Sequence, residues 1–256
     1  MPPRVRRPLW WLGTVFIVTK VIEFIEAVGS VGREAVVCAD LAAARVLKSK
    51  SSPEKPAATD RPLVVLVHGF MSSTRDMNYW RECLSVKQPT VAVGYSSIGA
   101  DFFKTANTLL DALETVPDGS ILIGHSLGGV MCRYVAENSP EKYAAVITVC
   151  SPNIVRHLGV GSKLTARAAG VCKTAIDRAD EYLGESEEWA TKGTDCYTIG
   201  ASLDLIVTDK SSRLQGAPHL IIENTGHMSV LKRGDVSRKL LDIVSLYEGA
   251  DGRQWS

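Results

Sequence analysis

The sequence predicts an α/β fold in which a mostly parallel sheet of six strands has helices on both faces and an N-terminal helical arm before it. From residue 62 onward, short apolar runs alternate with helical patterns, as is typical of a parallel sheet covered on both sides. Functional residues should follow the strands, because ligands of such sheets bind at the carboxyl ends. The predicted strands are Leu63–Val67, Thr90–Tyr95, Ile121–Ile123, Ala145–Val149, Cys196–Ile199 and His219–Ile222, with helices near residues 74–86, 101–115, 127–138 and 228–247.

The composition fits one globular domain with an appendage. With 256 residues, 45% of them hydrophobic and 22% charged, the chain can bury one sizeable core. The formal net charge of +1 gives no reason to expect a nucleic acid partner. Six cysteines occur without a Cys-x-x-Cys pair, so we expect mostly free thiols and no structural metal site.

A domain boundary is predicted near residue 60. The stretch from Ser49 to Pro56 is polar and contains two prolines, as is typical of a linker. We therefore divide the chain into an N-terminal helical arm with its linker, residues 1–60, and a main domain, residues 61–256.

Residues 8–28 of the arm have the character of an anchor at a membrane surface. A clean membrane span needs about 20 consecutive apolar residues, and this stretch reaches Lys20 after roughly half of that length. Trp10 and Trp11 stand beside three arginines, a combination typical of the membrane–water interface. We expect a membrane-associated protein. The alternative is a helix that packs on the main domain or on a second subunit, in a soluble cytoplasmic or secreted protein.

The decapeptide from Ser120 to Gly129 carries the most specific signal in the chain. A predicted buried strand stops in Gly-x-Ser-x-Gly, and a predicted helix follows at once. A serine at such a turn is held in a strained conformation that projects its hydroxyl, and the two glycines leave room for the turn. The helix N-terminus also offers amides and a positive dipole end to an oxyanion. Ser126 is therefore the candidate nucleophile.

A second loop is expected to complete an oxyanion hole beside this turn. The first predicted strand ends in His68-Gly69-Phe70, which should bring the amide of Phe70 opposite that of Leu127. We expect His68 to hold this loop through hydrogen bonds rather than to transfer protons. His125 precedes the candidate nucleophile and should point away from it, in a packing or pocket-lining role.

His227 is the candidate base. A serine hydroxyl needs a base to take its proton, and the base needs an orienting carboxylate. His227 lies in a Gly-His loop between the last predicted strand and the last predicted helix. His219 and His157 are weaker candidates, because the first opens a strand and the second lies in an irregular insertion.

Asp204 is the candidate acid. It follows the penultimate predicted strand by a few residues and precedes His227, which gives the chain order serine, acid, histidine that this type of sheet uses. Asp209 follows it closely and Glu223 lies near His227, and these two are the alternatives.

These motifs resemble those of the α/β-hydrolase superfamily, and within it the lipases and esterases with His-Gly-Phe and Gly-His-Ser-Leu-Gly-Gly. The resemblance runs from about Arg61 to Tyr247, and it includes a small-Pro segment at Ser151-Pro152-Asn153. No β-hairpin precedes the first predicted strand, which implies a compact, minimal version of the fold. The resemblance implies hydrolysis of carboxylic esters through an acyl-enzyme, with no metal or organic cofactor.

The expected substrate is a lipid-like ester such as an acylglycerol or a phospholipid, because the arm would hold the protein where acyl chains are available. A thioesterase or an acyltransferase with the same triad is the alternative, since the fold does not fix the acceptor. An alternative of another class is a membrane-tethered binding module without turnover. The insertion between Ser151 and Asp195 is expected to form either a small lid or ordinary helices packed on the sheet.

Overall fold

All six predicted strands are present and form one fully parallel sheet. The computed structural model describes residues 61–96, 101–154, 173–184 and 188–247. Within these residues the strand order is β2-β1-β3-β4-β5-β6, with every neighbouring pair parallel. The strands are β1 Val64–Val67, β2 Thr90–Val93, β3 Ser120–His125, β4 Tyr143–Val149, β5 Asp195–Ala201 and β6 His219–Ile222. The predicted α/β class is confirmed.

The helices follow the predicted pattern, with two additions. They are α1 Asn78–Leu84, α2 Phe102–Leu113, α3 Leu127–Glu137, α4 Lys173–Gly184, α5 Asp209–Ser212 and α6 Gly234–Val244, with 3₁₀ turns at Thr74–Met77, Ser229–Lys232 and Ser245–Tyr247. The predicted segments near residues 74–86 and 228–247 are thus each divided between 3₁₀ and α turns. The sequence did not resolve α4 and α5 as separate helices.

Both faces of the sheet are buried, which explains why its central strands are apolar without interruption. Val65, Val67 and Leu122 belong to a cluster that the residues of α2 and α3 complete. Val64 and Ile123, on the opposite face, belong to a second cluster with residues of α1 and α6. Because side chains alternate between the faces of a strand, a strand buried on both sides needs an apolar residue at every position.

The arm and part of the insertion lie outside the described residues. Residues 1–60, with the proposed anchor at 8–28, are among them, and so are His157 and most of the apolar residues that suggested a lid. The part of the insertion that is described, α4, is an ordinary helix that packs against α2. Among the described residues, no helix is both long enough and apolar enough to cross a membrane.

Candidate active site

Ser126 sits at a strained turn between β3 and α3, as the motif predicts. Its φ of 53° and ψ of −125° place a residue with a side chain in a region that favours glycine. The backbone amide of Ser126 donates to the carbonyl of Val149, 2.9 Å away, and so anchors the turn to the end of β4. The turn leaves Ser126 only half-buried, whereas its neighbours on both sides are buried.

The glycines of the motif allow α3 to approach the sheet at this turn. A Cβ on Gly124 would lie 2.4 Å from the backbone of Gly128, and a Cβ on Gly128 would lie 2.3 Å from the carbonyl oxygen of Val67. These are backbone contacts that cannot move aside. The first turn of α3 therefore lies directly against the end of β1, where the loop of His68, Gly69 and Phe70 begins.

The structure brings Ser126, His227 and Asp204 into one hydrogen-bonded chain. The Oγ of Ser126 lies 3.0 Å from Nε2 of His227, and Nδ1 of His227 lies 2.7 Å from Oδ2 of Asp204. Because an ionised carboxylate only accepts, the Nδ1 proton is donated to Asp204 and Nε2 is left to accept from the serine hydroxyl. This is the tautomer that a base for Ser126 requires.

The carboxylate of Asp204 is fixed on both of its oxygens. While Oδ2 contacts His227, Oδ1 accepts hydrogen bonds from the amides of Ile206 and Val207, each at 2.8 Å. The Asp204 side chain has no exposed surface, so water does not compete for these bonds. A buried carboxylate with three donors is held in one orientation.

The loops that carry Asp204 and His227 are bonded to each other. The amide of Leu203 donates to the carbonyl of Thr225 at 2.9 Å, and the amide of Asn224 donates to the hydroxyl of Ser202 at 2.9 Å. These loops leave the carboxyl ends of β5 and β6, which are neighbours in the sheet. The acid and the histidine are therefore set relative to each other by backbone contacts as well as by their own hydrogen bond.

His68 holds the loop after β1, as predicted. Its Nδ1 donates to the carbonyl of Gly69 at 2.8 Å, its Nε2 accepts from the amide of Tyr95 at 3.3 Å, and its ring stacks on that of Tyr95. A Cβ on Gly69 would lie 3.0 Å from Cβ of Ser126, so the loop passes directly over the turn that carries Ser126. The amide of Phe70 follows at once, and Leu127 opens α3, where an amide has no intrahelical partner.

Two of the weaker candidates from the sequence, His219 and Asp209, are hydrogen-bonded to each other. Nε2 of His219 lies 2.8 Å from Oδ1 of Asp209, and Oδ2 of Asp209 accepts from Arg213 at 2.9 Å. Burial raises the pKa of Asp209, but the hydrogen bonds from Arg213 and His219 outweigh it and leave that pKa below its usual value. Burial lowers the pKa of His219, although the hydrogen bond with Asp209 acts to raise that pKa. Glu223, the other alternative acid, is exposed.

A buried arginine on α3, the helix that follows Ser126, was not predicted. Arg133 on α3 is almost fully buried and reaches Oε1 of Glu137 at 3.4 Å and Oδ1 of Asn153 at 3.4 Å. The hydroxyl of Tyr182 on α4 donates to the same glutamate, and Asn153 donates to the carbonyl of Ser212 at 2.7 Å. The spacing of four residues between Arg133 and Glu137 on one helix was the available signal. These bonds join α3, α4 and the segment after β4.

One set of potential metal ligands lies within the site. Single ligand atoms of Cys150, Asp204 and His227 lie within 4.8 Å of one another, and all three residues are buried. Thiolate, carboxylate and imidazole are groups that zinc binds. However, both oxygens of Asp204 and both ring nitrogens of His227 already hydrogen-bond, so a metal ion would displace part of the chain to Ser126. The four cysteines in the described residues, Cys83, Cys132, Cys150 and Cys196, are free thiols.

Comparisons with known proteins support the fold. Residues 62–164 match a family model described as the alpha/beta hydrolase fold. No curated protein sequence matches significantly. Among solved structures, alpha/beta hydrolase domain-containing protein 10 from mouse is 17% identical, with a TM-score of 0.57, over 77% of this chain and 95% of that one.

The names of two further solved structures describe enzymes that act on lipids. A monoacylglycerol lipase from Paleococcus ferrophilus is 12% identical, with a TM-score of 0.56, over 78% of this chain and all of that one. A bacterial membrane phospholipase A is 13% identical, with a TM-score of 0.55, over 93% of this chain and all of that one. At identities of 12–17%, these likenesses show the fold. Sheet order, family model and solved structures agree, and the chain has the α/β-hydrolase fold.

Proposed function

We propose that the protein is a serine hydrolase that cleaves carboxylic esters, with Ser126 as nucleophile, His227 as base and Asp204 as orienting acid. The observation that carries the proposal is the unbroken hydrogen-bonded chain from the hydroxyl of the partly exposed Ser126 to the fully buried carboxylate of Asp204. A hydroxyl at a strained turn, with a base at 3.0 Å and that base oriented at 2.7 Å, is the arrangement that nucleophilic acyl transfer needs.

In the first half of the reaction, Ser126 Oγ attacks the ester carbonyl while Nε2 of His227 takes the hydroxyl proton. The imidazolium that forms is stabilised by Asp204, whose buried carboxylate keeps the ring in place. The amides of Phe70 and Leu127 would hold the tetrahedral oxyanion between the loop after β1 and the start of α3. Each such donor is typically worth about 100- to 1000-fold in turnover.

The first half ends when His227 gives its proton to the leaving alcohol and the acyl-enzyme remains on Ser126. In the second half, a water molecule loses a proton to His227 and attacks the acyl carbonyl. Collapse of the second tetrahedral intermediate returns the proton to Ser126 and releases the acid. The same two amides serve both intermediates, because the oxyanion forms at the same place in each.

A lipid-like ester is the proposed substrate class. Met71 directly follows Phe70 in the chain and Leu205 directly follows Asp204, and these two residues are 39% and 65% exposed. Apolar side chains exposed beside a polar catalytic centre suit a substrate with an acyl chain. The lipase and phospholipase among the structural neighbours, and the composition of residues 8–28, favour the same class.

Labelling with a fluorophosphonate, together with ester hydrolysis, tests the proposal. The wild-type protein should label, and Ser126→Ala should lose labelling and about 10⁴- to 10⁶-fold in kcat. The matched control is Ser85→Ala, which removes an exposed serine hydroxyl at the end of α1. It should label as the wild type does. Equal labelling of wild type and Ser126→Ala would contradict the proposal.

The substrate class is tested by comparing p-nitrophenyl acetate, butyrate and decanoate with emulsified monoacylglycerol, phospholipid vesicles and a butyryl thioester. A lipid-like preference predicts that kcat/KM rises with acyl length and that at least one lipid is cleaved. A higher kcat/KM for the thioester than for the matched oxygen ester would instead favour the thioesterase alternative.

Membrane contact through residues 8–28 is a further part of the proposal, and it rests on the sequence alone. Two tryptophans beside three arginines suit the headgroup region of a bilayer. Removal of residues 1–30 should release the protein from the membrane fraction into the supernatant. Unchanged sedimentation would rule out this segment as the anchor.

A further inference from the structure

His125 is buried at the centre of the site and contacts the loop of the candidate base. It directly precedes Ser126, is only 1% exposed, and its Nε2 lies 2.9 Å from the backbone carbonyl of His227. A carbonyl oxygen only accepts, so Nε2 carries the proton and donates it. The rings of His125 and His227 are tilted, with centroids 4.9 Å apart.

The other edge of the same ring faces the oxyanion loop. A Cβ on Gly69 would lie 3.1 Å from Nδ1 of His125, so this nitrogen lies against Gly69. Nδ1 is buried and has no hydrogen-bond partner among the described residues. An apolar side chain would fill the same space without leaving a polar atom unsatisfied, so packing alone does not account for a histidine here.

We propose that His125 is a positioning residue, whose one imidazole sets the loop of His227 and the loop of Gly69 at fixed distances from the adjacent Ser126. The inference rests on the proposed function, since it assigns a task within that site. The 3.0 Å contact between Ser126 and His227 then depends on the Nε2 hydrogen bond, because that bond holds the backbone of the base to the nucleophile's own neighbour. A displacement of about 1 Å at such a contact can cost about 100-fold in rate.

The charge state of His125 suits this task. Burial, with the nearby His227, lowers the pKa of His125 to about 3, although the charge of Asp204 acts to raise that pKa. The ring is therefore neutral at neutral pH and does not compete with His227 as a base. A neutral ring also places no second positive charge beside the imidazolium that forms on His227 during turnover.

Two amide variants separate the two edges of the ring. The amide nitrogen of His125→Gln can take the place of Nε2 and still donate to His227, whereas that of His125→Asn reaches only as far as Nδ1. With p-nitrophenyl butyrate, we expect His125→Asn to lose about 10- to 100-fold in kcat with KM within threefold. His125→Gln should keep at least a third of the wild-type kcat. His125→Leu, which keeps the volume and removes both nitrogens, should behave as His125→Asn does.

A spectroscopic readout distinguishes positioning from general destabilisation. The low-field ¹H NMR signal of the His227 Nδ1 proton, which lies in the hydrogen bond to Asp204, should persist in His125→Gln and shift or broaden in His125→Asn. Melting temperatures show whether each variant is folded. The Gln and Asn variants both keep a polar amide, so their comparison decides the question even where His125→Leu does not fold.

The proposal is overturned if folded His125→Asn keeps a kcat within threefold of the wild type, or if His125→Gln is impaired as strongly as His125→Asn. Failure of the proposed function has a different signature, because the wild-type protein would then neither label with fluorophosphonate nor cleave the ester. In that case the NMR comparison still tests whether His125 positions His227.

Discussion

Within the described residues there are two hydrogen-bonded chains of hydroxyl, histidine and aspartate, and their histidine–carboxylate contacts are almost equally short. In the candidate site, His227 lies 2.7 Å from Asp204 and 3.0 Å from the hydroxyl of Ser126. In the second chain, His219 lies 2.8 Å from Asp209, and its Nδ1 lies 2.6 Å from the hydroxyl of Thr198. A histidine between a carboxylate and a hydroxyl is thus not by itself the mark of a catalytic centre.

The difference lies in where each hydroxyl and each carboxylate stands. Ser126 is partly exposed at a positive-φ turn before a helix, whereas Thr198 is fully buried within β5. The Asp204 side chain has no exposed surface, while that of Asp209 is 40% exposed and shared with Arg213. The second chain therefore joins β5, β6 and α5, and its hydroxyl cannot reach a substrate.

Replacing the two histidines gives the largest contrast between the chains. His227→Ala removes the proposed base and should lower kcat by about 10⁴- to 10⁶-fold. His219→Ala should leave kcat within threefold, because it does not contact the site. It should lower the melting temperature by about 2–10 °C, since it removes the partner 2.6 Å from the buried hydroxyl of Thr198 and leaves only the carbonyl of Pro218, at 3.3 Å, to accept from it.

Turnover of p-nitrophenyl butyrate and thermal unfolding, measured on the same preparations, check this contrast. A large fall in kcat for a folded His219→Ala protein would mean that the second chain takes part in the reaction. It would then be wrong to regard that chain as structural.

The two aspartates provide a matched pair with a smaller expected effect. Asp204→Asn should lower kcat by about 10³- to 10⁴-fold, because an amide that donates to Nδ1 stabilises the wrong tautomer of His227. Asp209→Asn should change kcat by less than threefold. Its ion pair with Arg213 is largely exposed, and such pairs contribute about 1 kcal/mol or less. Comparable losses in kcat for the two variants would remove the distinction between the chains.

Much of the fold and of the candidate site was predictable from local patterns. The central strands were found because a strand buried on both faces must be apolar throughout, and Ser126 because its turn needs glycines at fixed offsets. Position relative to the predicted strands separated His227, in the loop after the last strand, from His219, which opens that strand. It also favoured Asp204, which follows the penultimate strand more closely than Asp209 does. The catalytic roles of these residues and of the amides of Phe70 and Leu127 remain predictions, although the structure brings the side chains together.

What the sequence left undetermined depends on contacts between residues far apart in the chain. The bond from His125 to the carbonyl of His227 joins residues 102 positions apart, and a carbonyl has no sequence signature. The buried position of Arg133 depends on Asn153 and on Tyr182 of α4, which arrive from a different segment. A charged residue in a helix is predicted to face solvent, unless the partners that neutralise it in the core are already known.

Acid gives the smallest expected effect, and it compares the two regions through stability rather than rate. Unfolded histidine has a pKa of about 6.5, whereas burial and His227 lower the native pKa of His125 to about 3. Below pH 6.5 the unfolded chain therefore binds a proton that the native ring does not, so the free energy of unfolding falls as the pH falls. From pH 7 to pH 5 this one group should remove about 2 kcal/mol.

The titratable groups near His125 are His227, Asp204 and His68, so the change is best isolated by substitution. In urea unfolding at pH 7 and pH 5, His125→Gln should lose about 2 kcal/mol less than the wild type does between the two values. His219→Gln should reduce the loss in the same direction, since the pKa of His219 is also lowered by burial. We expect the reduction to be smaller there, because Asp209 favours the protonated ring of His219. If His125→Gln has the same pH dependence as the wild type, then His125 is protonated in the native protein at pH 5. The inference that His125 is a neutral ring beside His227 would then be wrong.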